Sequence, residues 1–179
     1  MDRRGFIKKG ILFTTAIITP TLSKADYYEK RLRLYHTHTG EHIDATFWVD
    51  GEYIYEELDR LNIFLRDYKT DEIFPMDVNL IEYLHSIKRA LRTQKEFNIL
   101  SAYRSQKTNL YLRKHSRGVA KNSFHLYGKA VDINLPGYRL STLKYAALSL
   151  RRGGVGYYPK SHFIHIDTGK PRFWRYPKR

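Results

Sequence analysis

Two stretches with helical apolar spacing lie in a chain whose other apolar segments alternate. That mixture confines the fold to the α+β class. Tyr55–Tyr68 puts Leu58, Leu61, Phe64 and Leu65 on one side of a helix. Asp77–Arg92 repeats the pattern at Leu80, Ile81, Leu84, Ile87 and Leu91, with Asp77 as the expected N-cap. Arg31–His36 and Asp44–Val49 alternate and read as strands, joined across Thr39-Gly40-Glu41. Phe97–Ser101 and Ala130–Leu135 read as further strands, Lys107–His115 as a helix, and Ser141–Arg151 as a helix capped by Ser141. Gly153–Tyr158 and Phe163–Asp167 read as two short strands around a turn at Pro159. With 179 residues, no repeat and no Pro/Gly/Ser linker, a single domain is expected.

The chain has no cysteine, which excludes disulfides, thiolate metal sites and cysteine nucleophiles. Any metal must sit on His, Asp or Glu. The formal net charge of +14 points to a polyanionic partner: nucleic acid, anionic lipid or an anionic wall polymer. Fifteen Tyr suit either core packing or contact with a polar polymer.

The N-terminus reads as an address. Arg3, Arg4, Lys8 and Lys9 precede an apolar run from Ile11 to Ile18, and Ser23-Lys24-Ala25 offers small residues for cleavage. The run is short for a bilayer span, although an uncleaved anchor stays open. Arg3-Arg4-Gly5-Phe6-Ile7-Lys8 resembles a twin-arginine export signal. Residues 1–25 are therefore expected to be the signal, and 26–179 the working domain. Removing that segment takes away five Lys/Arg and one Asp, so the domain keeps a formal charge of +10.

One segment carries chemistry. Ser123-Phe124-His125-Leu126-Tyr127-Gly128-Lys129-Ala130-Val131-Asp132 holds a His and an Asp with a glycine between them. Gly128 permits a turn that returns Asp132 toward His125. Asp132 lies in an apolar strand, where an unpaired carboxylate is costly. A third ligand is available in Ser161-His162-Phe163-Ile164-His165-Ile166-Asp167. Residues two apart on a strand share a face, so His165 and Asp167 point the same way. A catalytic zinc takes three such ligands and keeps one open position. Asp167 is the expected general base, with His162 as its competitor. Spacing alone leaves other readings open: a core-facing His125, a surface His162, and Asp132 paired with an arginine. His36-x-His38-x-x-x-His42 reads as a structural strand pair rather than a second metal site.

Ser123-x-His125-x-x-Gly128-x-Ala130-x-Asp132 resembles the S-x-H-x-x-G-x-A-x-D signature of the zinc D-Ala-D-Ala peptidases, the superfamily of lysostaphin-type and hedgehog-type zinc domains. A closer likeness covers nearly all of the mature chain. Arg33–Glu41, Arg66-Asp67, Arg104-Ser105, Gly118-Val119-Ala120, Gly153–Pro159 and His165–Gly169 are similar to the murein endopeptidase K group. The resemblance implies one Zn2+ per chain on His125, Asp132 and His165. It also implies a small central antiparallel sheet with helices packed on one side. Arg104, after Tyr103, matches the family's substrate-facing arginine, which implies that Arg104 stabilises the oxyanion or holds the substrate carboxylate and that Tyr103 binds substrate beside it; Ser123 matches the serine that helps bind the peptide end or backbone. Some relatives carry Glu or Asp three residues before the last zinc histidine, where this chain has His162.

The implied activity is hydrolysis of peptide cross-links in peptidoglycan, in the periplasm or cell envelope, with stem peptides as partner. Two rivals share the fold: a carboxypeptidase on free D-Ala ends, and a zinc-bearing wall-binding domain without turnover. A nucleic-acid binder fits the charge but not the export signal. No stable membrane span is expected in the mature form.

Overall fold

The computed structural model describes residues 28–116 and 119–177. The expected signal segment 1–25 lies outside the described residues, as does part of Gly118-Val119-Ala120. Among the described residues, no helix is long and apolar enough to cross a membrane.

The strands are β1 (Glu29–His36), β2 (His42–Val49), β3 (Glu52–Tyr53), β4 (Phe97–Ser101), β5 (Ala130–Asn134), β6 (Gly154–Tyr158), β7 (Phe163–Asp167) and β8 (Arg172–Arg175). The helices are α1 (Tyr55–Phe64), α2 (Val78–Ala90), α3 (Gln106–His115) and α4 (Leu140–Ser149), with a 3-10 turn at Phe124–Tyr127. All eight strands form one sheet in the order β3-β2-β1-β4-β5-β7-β6-β8. The class is α+β, but the sheet is neither small nor purely antiparallel, because β1 pairs with β4 and β6 with β8 in parallel. The first parallel pair follows from α1 and α2, which form the long crossover that parallel neighbours need.

Alternation divides the sheet into two faces. Register aligns Leu34 with Phe97, Ile99 with Ile133, Val131 with Ile166, and Ile166 with Val155, all fully buried. Helices α1, α2 and α4 bring Leu61, Phe64, Leu80, Leu84, Ile87, Leu143 and Ala147 to the same core. The Tyr83 hydroxyl donates to the Ala147 carbonyl at 2.9 Å and ties α2 to α4 inside that layer. On the opposite face, register lines up Ser101, Asp132, His165, Gly156 and Trp174 in one row across five strands. The polar residues that looked costly in apolar strands therefore share the face turned away from the core.

Asp77 caps α2 as expected, accepting from the Asn79 N–H at 2.9 Å. Ser141 does not cap α4. The helix starts one residue earlier, with Arg139 at the cap, and so buries Leu140 together with Leu143. Helix α3 is capped by Ser105, and that serine is itself held by Asp67. Asp67 is fully buried, and its carboxylate accepts from the Ser105 N–H at 2.8 Å and the Ser105 hydroxyl at 2.6 Å. Burial alone would raise its pKa, but these bonds and those from Thr108 and Lys69 hold it below the usual carboxylate value. The start of α3, and Arg104 just before it, is fixed in this way.

Two buried histidines make stability depend on pH. Burial pushes His36 and His85 down to about 4, with help from the neighbouring His38 and Lys88 respectively. Their unfolded-state pKa is about 6.5. The unfolded chain then binds more protons between those values, so stability is present at pH 7 and lost as pH falls. We expect each to remove about 1–2 kcal/mol between pH 7 and pH 5. Urea unfolding at the two pH values measures this, and His85→Leu should flatten the dependence. An equally steep dependence in that variant would contradict the assignment.

Candidate metal centre and its cleft

Strands β5 and β7 are adjacent, and their register sets Asp132 directly opposite His165. His125 arrives from the 3-10 turn. Ser123 caps that turn, its hydroxyl accepting from the His125 N–H at 3.4 Å. Gly128 ends the turn at φ +62. A Cβ there would lie 2.4 Å from the Pro75 carbonyl oxygen, so the turn both needs a left-handed residue and has no room for a side chain. The connection from β4 to α3 grips the histidine from below: Arg104 N–H donates to the His125 carbonyl at 3.1 Å, and His125 Nδ1 donates to the Ala102 carbonyl at 2.6 Å.

Three donor atoms converge. His125 Nε2 lies 3.3 Å from Asp132 Oδ1, His165 Nδ1 lies 2.9 Å from the same oxygen, and the two nitrogens are 3.1 Å apart. All three residues are buried or nearly so, and among the described residues this is the His/Cys/Asp/Glu group that could hold a metal ion. The outer nitrogens settle which lone pairs point inward. His125 Nδ1 is committed to the Ala102 carbonyl, and His165 Nε2 faces Asp167 Oδ2 at 3.0 Å. His125 therefore turns an unprotonated nitrogen inward, while His165 stands between two carboxylates, Asp132 at Nδ1 and Asp167 at Nε2, whose hydrogen bonds raise its pKa against the effect of burial. Two nitrogens and one oxygen of this kind suit zinc, with room left for further ligands. Burial pushes His125 down to about 4, aided by the Arg104 charge. Burial alone would raise Asp132, but His125, Arg104 and His165 hold it well below the usual carboxylate range.

The centre lies on the wall of a cleft of about 520 Å³ whose lining includes His38, Tyr68, Trp174 and Tyr176. Arg104 lines it; its Nε donates to the Ser101 hydroxyl at 2.7 Å and its Nη2 to Asp132 Oδ2. Ser123 lines it as well. Tyr103 does not. Its hydroxyl meets Glu72 and its ring stacks on Phe74 at 4.9 Å, so it packs into the interior.

The two expected bases are placed very differently. Asp167 is fully buried, and both its oxygens are occupied by His165 Nε2, the Arg172 guanidinium and the Gly154 and Gly169 N–H groups. It meets the outer nitrogen of the His165 ring, not the inward one. His162 is exposed at φ +56 in the turn between β6 and β7, and its neighbours Ser161 and Phe163 line the cleft.

The histidine cluster near the N-terminal hairpin is structural in part. His36 is buried, and its Nδ1 accepts from the N–H groups of His38 and Thr39 at 3.3 Å each. His42 pairs with Glu96, while the His38 ring stacks on Tyr68 at 4.1 Å and forms part of the cleft wall.

Sequence reasoning missed the far wall: Tyr158, Arg172, Trp174 and Tyr176. A signal for it existed. Gly154 and Gly156 alternate on β6, and strand glycines mark a close approach. A Cβ at Gly156 would lie 2.6 Å from the Trp174 ring, so only glycine lets that indole fold over the row containing His165.

Residues 24–174 match the family model described as Peptidoglycan L,D-endopeptidase MepK, Peptidase_M15_2. The chain is 45% identical over 176 residues to the Peptidoglycan L,D-endopeptidase MepK of Escherichia coli (strain K12), covering 97% of each chain. The same identity and coverage hold for the protein of that name in Shigella flexneri. A Haemophilus influenzae relative, named a probable peptidoglycan L,D-endopeptidase MepK, is 42% identical over 138 residues, covering 76% of this chain and 74% of its own. The chain belongs to the peptidoglycan L,D-endopeptidase MepK family of peptidases.

Proposed function

We propose that this protein is a zinc-dependent endopeptidase that hydrolyses peptide cross-links of peptidoglycan, the L,D bonds named for its relatives. The observation that carries the reading is the convergence of His125 Nε2, Asp132 Oδ1 and His165 Nδ1 on one point in a long cleft. His125, Asp132 and His165 would hold one zinc ion per chain. When bound, that ion supplies Lewis acidity and lowers the pKa of a bound water to roughly 7.

The side chains divide the remaining work. Arg104 spends Nε and Nη2 on Ser101 and Asp132, which leaves Nη1 to donate to the substrate oxygen that gains charge. Ser123 holds the turn that carries His125 and offers its hydroxyl oxygen to the peptide backbone. Tyr103 supports Arg104 from the core side rather than touching substrate. Asp167 fixes the His165 ring. The base role would then fall to His162, whose neighbours Ser161 and Phe163 line the cleft and whose imidazole would hold and return a proton at its mouth. Asp167→Asn should then weaken zinc binding, while His162→Ala should lower kcat by roughly 10²–10⁴-fold with zinc content unchanged. A full-rate His162→Ala enzyme would exclude that base.

The basic domain suits an anionic wall polymer, and residues 1–25 would deliver it to the periplasm or envelope as a twin-arginine-type signal. A cleft walled from the β1–β2 turn to the residues beyond β8 suits a cross-linked substrate that enters and leaves on both sides of the scissile bond. A carboxypeptidase needs room for only one terminal residue. Purified cross-linked dimers and free pentapeptide stems, incubated side by side, test this. Conversion of dimer to monomers is the expected result; release of D-Ala from the pentapeptide alone would replace endopeptidase with carboxypeptidase, and no product from either would favour a silent wall-binding domain.

A further inference from the structure

Arg172 has no part in the roles given above, yet its surroundings are shaped for it. Its guanidinium forks onto Asp167, with Nη1 at 2.9 Å from Oδ1 and Nη2 at 2.7 Å from Oδ2. It lies between two aromatic rings, 5.2 Å from the centre of Phe124 and 5.0 Å from that of Trp174. The backbone is cleared around it. A Cβ at Gly154 would come within 2.4 Å of Nη1, and one at Gly169 within 2.9 Å. The Arg172 side chain keeps 41% of its surface exposed on the cleft wall, while the Asp167 side chain keeps none.

The contacts continue to the metal centre. Asp167 Oδ2 accepts from Arg172 Nη2 and also faces His165 Nε2 at 3.0 Å. The other nitrogen of that ring, Nδ1, is the one beside Asp132 Oδ1 and His125 Nε2. A carboxylate held by a two-pronged guanidinium cannot rotate about its own bond without breaking both bonds. Its orientation then dictates where the His165 proton sits and how the ring is turned. The strand that carries Arg172 is placed independently of this pair: β8 is held to β6 by backbone register from Gly154↔Arg172 to Tyr157↔Arg175.

We propose that Arg172 is a positioning residue, clamping Asp167 so that His165 keeps its proton on Nε2 and presents Nδ1 to the metal. The inference rests on the reading of His165 as a zinc ligand. It places a requirement for zinc retention on a residue of the cleft wall, two contacts removed from the ion.

The test uses the mature chain as wild type, Arg172→Ala and Arg172→Lys. Long-range 1H–15N correlation on metal-free protein reports the His165 tautomer, and competition with a chromophoric chelator reports the zinc Kd. Wild type should keep Nε2 protonated, in the neutral ring or in the imidazolium that the two flanking carboxylates favour, and should show no neutral Nδ1–H tautomer. In Arg172→Ala both tautomers should populate and the zinc Kd should weaken by about 10–100-fold, the scale on which outer partners of metal ligands act. Asp167 is fully buried, so loss of its paired cation should also lower the urea midpoint, and the tautomer and Kd are therefore read on the folded fraction. Arg172→Lys keeps the charge without the fork and should fall between the two. An unchanged tautomer and an unchanged Kd in Arg172→Ala would overturn the proposal. Wild-type protein that takes up no zinc would instead overturn the metal reading, and the tautomer measurement then decides the positioning on its own.

Discussion

His125→Ala should yield protein without stoichiometric zinc and with hydrolysis reduced on the order of 10³–10⁶-fold, the range seen when a central catalytic group is removed. The ring supplies one of three donors, and its Nδ1 bond to Ala102 fixes the direction of that donor. Two remaining donors on neighbouring strands do not make a zinc site of useful affinity. The ring is also 2% exposed, so truncation leaves a cavity beside the 3-10 turn and should lower stability. Metal content must therefore be measured by mass spectrometry on the folded fraction, with circular dichroism as control. Folded variant that retains one zinc per chain would remove His125 from the ligand set.

Arg104→Ala should reduce kcat by roughly 10²–10³-fold, the usual cost of losing a donor to a developing oxyanion. The residue has two duties that the variant series can separate. Its Nη2 bonds Asp132 Oδ2, so alanine also leaves a buried carboxylate with less compensation and should weaken zinc modestly. Arg104→Lys keeps the charge near Asp132 but loses the fork, and should restore zinc better than it restores kcat. Steady-state kinetics at saturating zinc isolates the second duty. A variant whose KM rises while kcat holds would mean that Arg104 only binds the substrate.

Much of the site was legible because one short motif carried it. Ser123, His125, Gly128 and Asp132 fall within ten residues, and their geometry is local: a capped turn, a left-handed glycine, then a strand. Alternation along β7 put His165 and Asp167 on one face, and the family likeness singled out His165. What depends on pairing across the sheet was not. Asp167 and His165 share a face, as period two requires, yet a shared face does not say which atom of which ring the carboxylate meets. Only Gly154, Gly169 and Arg172 decide that, by closing over Asp167 and leaving it no access to the cleft. Tyr103 likewise sits beside Arg104 in sequence but points into the core, because adjacent residues in extended chain face opposite ways.

The fold follows the same division. Asp77 announced α2, and the apolar periods of α1 and α2 placed their buried faces. The two-residue β3 and the four-residue β8 are too short to leave a period, so the sheet reads smaller in sequence than it is. The parallel pairing of β1 with β4 joins residues more than sixty positions apart and is set by packing of the helices between them.

Cross-link hydrolysis by this chain should require one zinc ion held by His125, Asp132 and His165. Mass spectrometry of muropeptides released from purified sacculi by the purified chain tests this. The chain would be used as purified, after chelator treatment, and after readdition of one equivalent of zinc. Loss of cross-linked dimers in the first and third samples but not the second is the predicted result. Dimers that disappear equally from the chelator-treated sample would contradict it.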